Sequence, residues 1–176
     1  MSRSLAAALA TVTLVLTVGA ASASEKAHRE AKAHAHGHGK VNIAVEGERL
    51  FLELEAPGAD IVGFEHAAKT DAERAEVTTA RTVLESVANI IELPAAAGCK
   101  STSSSVEVHR DGDHSEFQVS YQFQCTATSK LAQVKFLYFE AFKRAEELEV
   151  SIISDKGARK IEASRKEPVV QLGSLL

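Results

Sequence analysis

The chain has 176 residues, enough for one domain with a buried core, and a formal net charge of −4 with histidine neutral. With 24 Asp and Glu against 20 Lys and Arg, and no basic stripe, nucleic acid is excluded as the expected partner. The side chains with chemistry to offer are seven histidines and two cysteines.

Met1-Ser2-Arg3 precedes an apolar stretch, Leu5 to Val18, that runs out in Ala21-Ser22-Ala23. A short basic start, an apolar centre and an Ala-x-Ala site describe a secretory signal peptide over residues 1–23. The apolar stretch falls short of the roughly 20 residues that span a bilayer, so cleavage is expected in place of a membrane anchor. No cysteine follows to carry a lipid, and no second such stretch occurs, so no membrane insertion is expected after cleavage. Loss of Arg3 takes the net charge from −4 to −5.

Residues 24–40 read as a flexible segment. Ser24 to Lys32 is polar and lacks an apolar face. His34, His36 and His38 follow at alternate positions, and in an extended chain alternate side chains point the same way. Neutral imidazole is the commonest protein ligand for zinc, copper and nickel. Gly37 and Gly39 leave the backbone free to fold around an ion. Two readings fit: a partial metal site, or a solvated histidine-bearing segment.

Val41, Ile43 and Val45 alternate with Asn42, Ala44 and Glu46, and Leu50, Leu52 and Leu54 alternate with Phe51, Glu53 and Glu55. Glu46-Gly47-Glu48-Arg49 between them predicts a hairpin with Gly47-Glu48 as its loop. That register puts the six aliphatics on one face. It puts the even-numbered histidines on the other, with Glu53 and Glu55. Pro57-Gly58 then breaks the strand, and Ile61, Val62 and Phe64 tack the connection to the core. Glu65-His66 supplies ligands in one reading; in the other, His66 only hydrogen-bonds nearby backbone.

Thr70-Asp71-Ala72-Glu73 is a capping box. Val77, Ala80, Leu84, Val87 and Ile91 then recur at helical spacing, which predicts a helix over 71–91 with its apolar stripe on the sheet. Pro94 ends it.

A Ser-rich strand over 101–109 and a return strand over 114–125 flank Arg110-Asp111-Gly112-Asp113. Taking Asp111-Gly112 as the loop sets His109 directly opposite His114. Val106, Val108, Phe117, Val119, Tyr121 and Phe123 then share one face. Glu107, His109, His114 and Glu116 share the other. Directly opposed side chains have Cβ atoms roughly 4.5–5.5 Å apart, close enough for two imidazoles to hold one zinc with a carboxylate or water completing the shell. An exposed polar tip is the alternative.

In an exported chain, the even count of cysteines predicts a disulfide between Cys99 and Cys125. The hairpin register puts the two on opposite faces. Either a one-residue bulge at Gly98 or in the Ser run aligns them, or Cys99 lies outside the ladder.

Leu131 to Phe142 reads as a buried strand followed by a short amphipathic helix reaching about Leu148. Strands over 149–154 and 158–164 flank a turn at Asp155-Lys156-Gly157, and 169–172 forms a last short strand. The expected architecture is a single α+β domain over 41–176: antiparallel hairpins forming sheets, packed against one long amphipathic helix and one short helix. No Ser-His-Asp set, HExxH helix, phosphate-cradling glycine loop or reactive thiol occurs, so no enzymatic activity is expected.

The signal peptide, His36-Gly37-His38-Gly39 leading into the first strand, Ile61-Val62-Gly63-Phe64-Glu65-His66, the spaced Cys99 and Cys125, the aromatic strand Phe117 to Phe123 and the Phe-rich Phe136 to Phe142 together resemble the ZrgA-like family of zinc-regulated periplasmic proteins. The resemblance covers essentially the whole mature chain. It implies a periplasmic Zn2+ binder that assists zinc uptake beside a zinc ABC importer or its binding protein. Members often carry a long His/Asp/Glu-rich insertion at the tip of the cysteine-bounded hairpin. Here that tip is only His109 to His114, which implies few bound ions. The expected ligand pool is therefore His34, His36, His38, His66, His109, His114, Glu107 and Glu116. The competing expectation is an exported module that docks a transporter or envelope partner without metal.

Overall fold

The structure, a computed structural model, describes residues 36–175. The expected signal peptide, the polar stretch from Ser24 and the ligand candidate His34 lie outside the described residues. Along the chain come β1 (His38–Glu46), β2 (Arg49–Pro57), α1 (Gly58–Ile61), α2 (Asp71–Glu85), β3 (Ile91–Glu92), β4 (Lys100–Asp111), β5 (His114–Gln124), β6 (Gln133–Phe136), α3 (Tyr138–Ala141), β7 (Glu147–Ser154), β8 (Gly157–Ser164) and β9 (Val169–Gln171). Six strands form one sheet in the order β4-β5-β2-β1-β7-β8, and the other three form a second in the order β3-β6-β9.

The first hairpin follows its hydrophobic alternation. Val45 opposes Leu50, Ile43 opposes Leu52 and Val41 opposes Leu54. All six are buried, and Gly47 takes the positive φ, +59°, that the first position of a tight hairpin loop demands. Burying each such side chain stabilises the fold by roughly 1.5–3 kcal/mol. β1 starts at His38, not at Val41, because β7 pairs with it in parallel from His38↔Glu147 to Ala44↔Ile153. A parallel neighbour needs a long crossover. Here the chain between β5 and β7 makes that crossover while building β6 and α3 on the way.

The expected α+β architecture, with its sheet on one long helix, is corrected by the structure. The fold is mainly β, and among the described residues only α2 exceeds a single turn. α2 starts as its capping box predicts, with Glu73 N donating to Thr70 Oγ1 at 3.1 Å and Thr70 N donating to Glu73 Oε2 at 2.9 Å. It stops at Glu85, where Ser86 turns extended (φ −89°, ψ 97°). Ala80 and Leu84 reach the core, and Tyr121 Oη donates to the Leu84 carbonyl. The last stripe member, Ile91, is buried in β3 opposite Phe136. Adjacent β-branched Ile90 and Ile91 suit extended pairing better than a helix.

The second expected helix shrinks to the single turn of α3. Arg165 shows why: its guanidinium donates to the carbonyls of Phe139 (2.5 Å), Phe142 (3.1 Å), Lys143 (2.6 Å) and Ala145. Carbonyls that a longer helix would satisfy internally are taken by one cation instead. Residues of both sheets, with α2 and α3, then share one core that includes Leu54, Leu84, Val134, Phe136 and Leu172.

Cys99 and Cys125 are joined, with Cα atoms 3.8 Å apart. The ladder slips between Ser101 and Ser103, leaving Thr102 as the extra residue. Both features open on sequence grounds are present: the bulge lies in the Ser run, and Cys99 lies just outside the ladder, which begins at Lys100↔Gln124.

Candidate metal centre

The centre is assembled around the connection after β2. Gly58 opens α1 in contact too close for any side chain: a Cβ there would sit 2.1 Å from Ser115 Oγ and 2.7 Å from the Phe64 carbonyl oxygen. Val62 N and Gly63 N both donate to the Gly58 carbonyl, at 2.8 and 3.3 Å. Gly63, at φ +87°, reverses the chain where an L side chain would be strained. Phe64-Glu65-His66 is thereby delivered to two other segments, the lead-in to β1 and the β4–β5 tip.

Glu65 is the point where they meet. Its side chain is 12 % exposed. His36 Nε2 lies 3.4 Å from Oε1, and His114 Nδ1 contacts Oε2. Oε1 is buried and has no hydrogen-bond partner among the described residues. The His114 ring is held above its ordinary pKa, first by its hydrogen bond to Glu65 and then by the Glu65 charge. Beside them Asp60, 2 % exposed, accepts the Gly37 N–H through Oδ1 at 2.7 Å, while its buried Oδ2 has no partner. Burial holds the Asp60 carboxyl above its ordinary pKa; the Gly37 N–H and the nearby His36 and His38 offset this only in part. The cleft measures about 590 Å³ and is lined by His36, Asp60, Glu65, His66, Asp113 and Arg144, among others.

This arrangement suits a divalent cation. The buried Glu65 Oε1 has no hydrogen-bond donor among the described residues, which is unfavourable, and a cation beside it relieves that. The 3.4 Å between His36 Nε2 and Glu65 Oε1 is near the roughly 3.3 Å edge of a tetrahedron built on metal–ligand bonds of about 2.0–2.1 Å. Imidazole with carboxylate is a zinc-compatible donor set.

The remaining candidates stand apart from Glu65 or at its rim. His66 lines the same cleft, stacks on Phe64 with ring centroids 4.9 Å apart, and its Nδ1 lies 3.0 Å from the Ala67 carbonyl oxygen. A ring that donates through Nδ1 keeps its lone pair on Nε2. The backbone contact of the second reading is present, and Nε2, the nitrogen that the ligand reading needs, lies 3.7 Å from Glu73 Oε1. His38 lies on the exposed face of β1, 3.6 Å from Glu147, its register partner on β7. His109 Nε2 is 3.3 Å from Glu107 Oε2, and His109 lies opposite Glu116.

The expected His109–His114 pair does not form. His114 opposes Asp111, so the hairpin loop is Gly112-Asp113, one position later than predicted. Gly112 has φ +60°, and a two-residue loop with glycine at its first position is the same solution that Gly47 provides in the first hairpin. The shift moves the rungs by two, so the predicted faces survive and Val108 opposes Phe117. Among the described residues no group of three or more His, Cys, Asp or Glu is already disposed to hold an ion, so loading the cleft requires the rings to close on Glu65. Asp60 escaped the sequence reading. Its one visible signal is an acid set between the apolar residues Ala59, Ile61 and Val62.

A family model described as "ZrgA family zinc uptake protein" matches residues 33–172. The chain belongs to this family. The match takes in the lead-in to β1, the Glu65 cleft, the cysteine-bounded hairpin and the second sheet, so every part of the candidate centre lies inside the ZrgA family region. The description of that family names zinc uptake. A partial similarity is also found: over 56 residues the chain is 48% identical to hydrogenase maturation factor HypA 1 of Bradyrhizobium diazoefficiens, which is 31% of this chain and 50% of that protein. The chain thus matches half the length of that relative.

Proposed function

We propose that the protein is a periplasmic accessory to zinc uptake that binds Zn2+ in the Glu65 cleft and works beside a zinc ABC importer or its binding protein. The observation that carries the proposal is the placement of His36 and His114 on the two oxygens of one nearly buried carboxylate. Family membership supports zinc as the cargo. Glu65, His36 and His114 are the core ligands of the reading, and His66 joins from the rim through Nε2. Export is supported by the N-terminal signal pattern, and the Cys99–Cys125 bond fits an oxidising compartment.

The test is a calorimetric zinc titration of the chain from Ser24 onward at neutral pH. Saturable uptake is expected, weakened at least tenfold by Glu65→Ala and by His114→Ala. An absence of uptake, or wild-type affinity in Glu65→Ala, rejects the proposal.

A further inference from the structure

We infer that Asp60 is the positioning residue of the metal site: by holding the Gly37 amide it keeps the His36 imidazole in reach of Glu65. The inference rests on the reading of the cleft as a zinc site, and it adds a residue that binds no metal in that reading.

Asp60 is nearly fully buried and sits on a single turn that Gly58 presses against Ser115 and the Phe64 carbonyl. It therefore has little freedom to move. Its Oδ1 accepts the N–H of Gly37, 23 residues earlier, at 2.7 Å. That amide is the one that leaves His36, so the bond fixes the direction in which the His36 side chain projects. The same turn is gripped from its other side: Glu146 N and Glu147 N each donate to the Gly37 carbonyl at 2.8 Å. Gly37 itself sits at φ +86°, with Glu146 Cγ only 3.3 Å from where a Cβ would be. The turn is thus held at both its N–H and its C=O, and Asp60 supplies the only side-chain contact to its N–H among those described. Orienting groups behind a ligand typically change metal affinity 10- to 100-fold when removed.

The test uses zinc affinity, measured by competition with a chromogenic chelator on the chain from Ser24 onward, for wild type, Asp60→Ala, Asp60→Asn, His36→Ala and the double variant Asp60→Ala/His36→Ala. Asp60→Ala is expected to lose affinity by about 10- to 100-fold. Asp60→Asn keeps an acceptor oxygen for Gly37 and is expected to stay within about threefold of wild type. In the His36→Ala background, Asp60→Ala is expected to add nothing further, because its effect runs through that ring. Wild-type affinity in Asp60→Ala, an equal loss in Asp60→Asn, or an undiminished loss in the His36→Ala background overturns the inference. Should Asp60→Ala lack a cooperative thermal transition, Asp60→Asn decides alone: near-wild-type affinity supports positioning, and a tenfold loss refutes it. A wild-type protein that takes up no zinc would reject the proposed function instead.

Discussion

His114 Nδ1 meets Glu65 Oε2 across 49 positions of sequence, so the tip of one hairpin and the connection after another are tied by an imidazole and a carboxylate. The carboxylate is nearly buried and the ring is largely exposed. In the proposed zinc site, protons and zinc would compete for one accessible ring.

The competition has a definite pH signature. Glu65 raises the His114 pKa above its ordinary 6.5, so in metal-free protein the pair adds stability that is fully present below pH 6.5. That contribution is lost as pH rises through the raised value. The Tm difference between wild type and His114→Ala should be largest near pH 6 and vanish at higher pH. Zinc reverses the sign, because it needs the neutral ring: affinity should rise across the same interval and be nearly gone at pH 5. A Tm difference that is equal at pH 6 and pH 9 would contradict this.

Arg165 binds the segment that failed to become a helix. Its four carbonyl partners lie on α3 and on the stretch that leads from it to β7, three of them in part-buried contacts. Arg165→Ala should destabilise the domain by about 3 kcal/mol or more, since it strands several carbonyls at once. Arg165→Lys should recover little, because an ammonium cannot fan its donors across four acceptors as a planar guanidinium does. Urea unfolding of the three proteins reads this directly; a near-neutral Lys variant would show that charge alone suffices.

The parts of the fold that were legible in the sequence are those set by local rules. The Gly47-Glu48 loop, the six-aliphatic face and the Thr70–Glu73 capping box follow from side-chain alternation and turn chemistry. What was not legible depends on distant partners. Nothing near Val87 announces that Ile91 will pair with Phe136, and nothing near Phe142 announces Arg165. The site divides the same way. Histidines at 36 and 114 stand out by type, but which of them meet depends on where Gly63 sends Glu65. The hairpin at Gly112 was open to a correct reading: the rule that places glycine first in the loop, applied at Gly47, holds there too.

The disulfide joins the residue before β4 to the residue after β5, at the end of the hairpin remote from His114. In the chain-entropy model, a cross-link with a separation of 26 residues stabilises the fold by about 3–4 kcal/mol. Cys99→Ala/Cys125→Ala should therefore shift the urea midpoint strongly downward. Zinc affinity, measured where that variant is still folded, should stay within about threefold of wild type, since no ligand of the cleft touches the bond. A parallel collapse of affinity at full folding would mean that the hairpin base and tip are coupled.

The two histidines of the tip separate the structure's arrangement from the one that pattern alone suggests. If His109 and His114 faced each other, each would matter equally to a shared ion. Instead His109 stands with Glu107 and opposite Glu116, whereas His114 reaches Glu65. His109→Ala is therefore expected to leave the affinity of the principal site within about threefold, while His114→Ala lowers it tenfold or more, in the range typical for loss of a zinc ligand or its orienting partner. The affinities are compared above the pH range in which the His114–Glu65 pair stabilises the metal-free protein, so that loss of the pair does not enter the comparison. Equal losses in the two would place the ion at the hairpin tip and not in the cleft around Glu65.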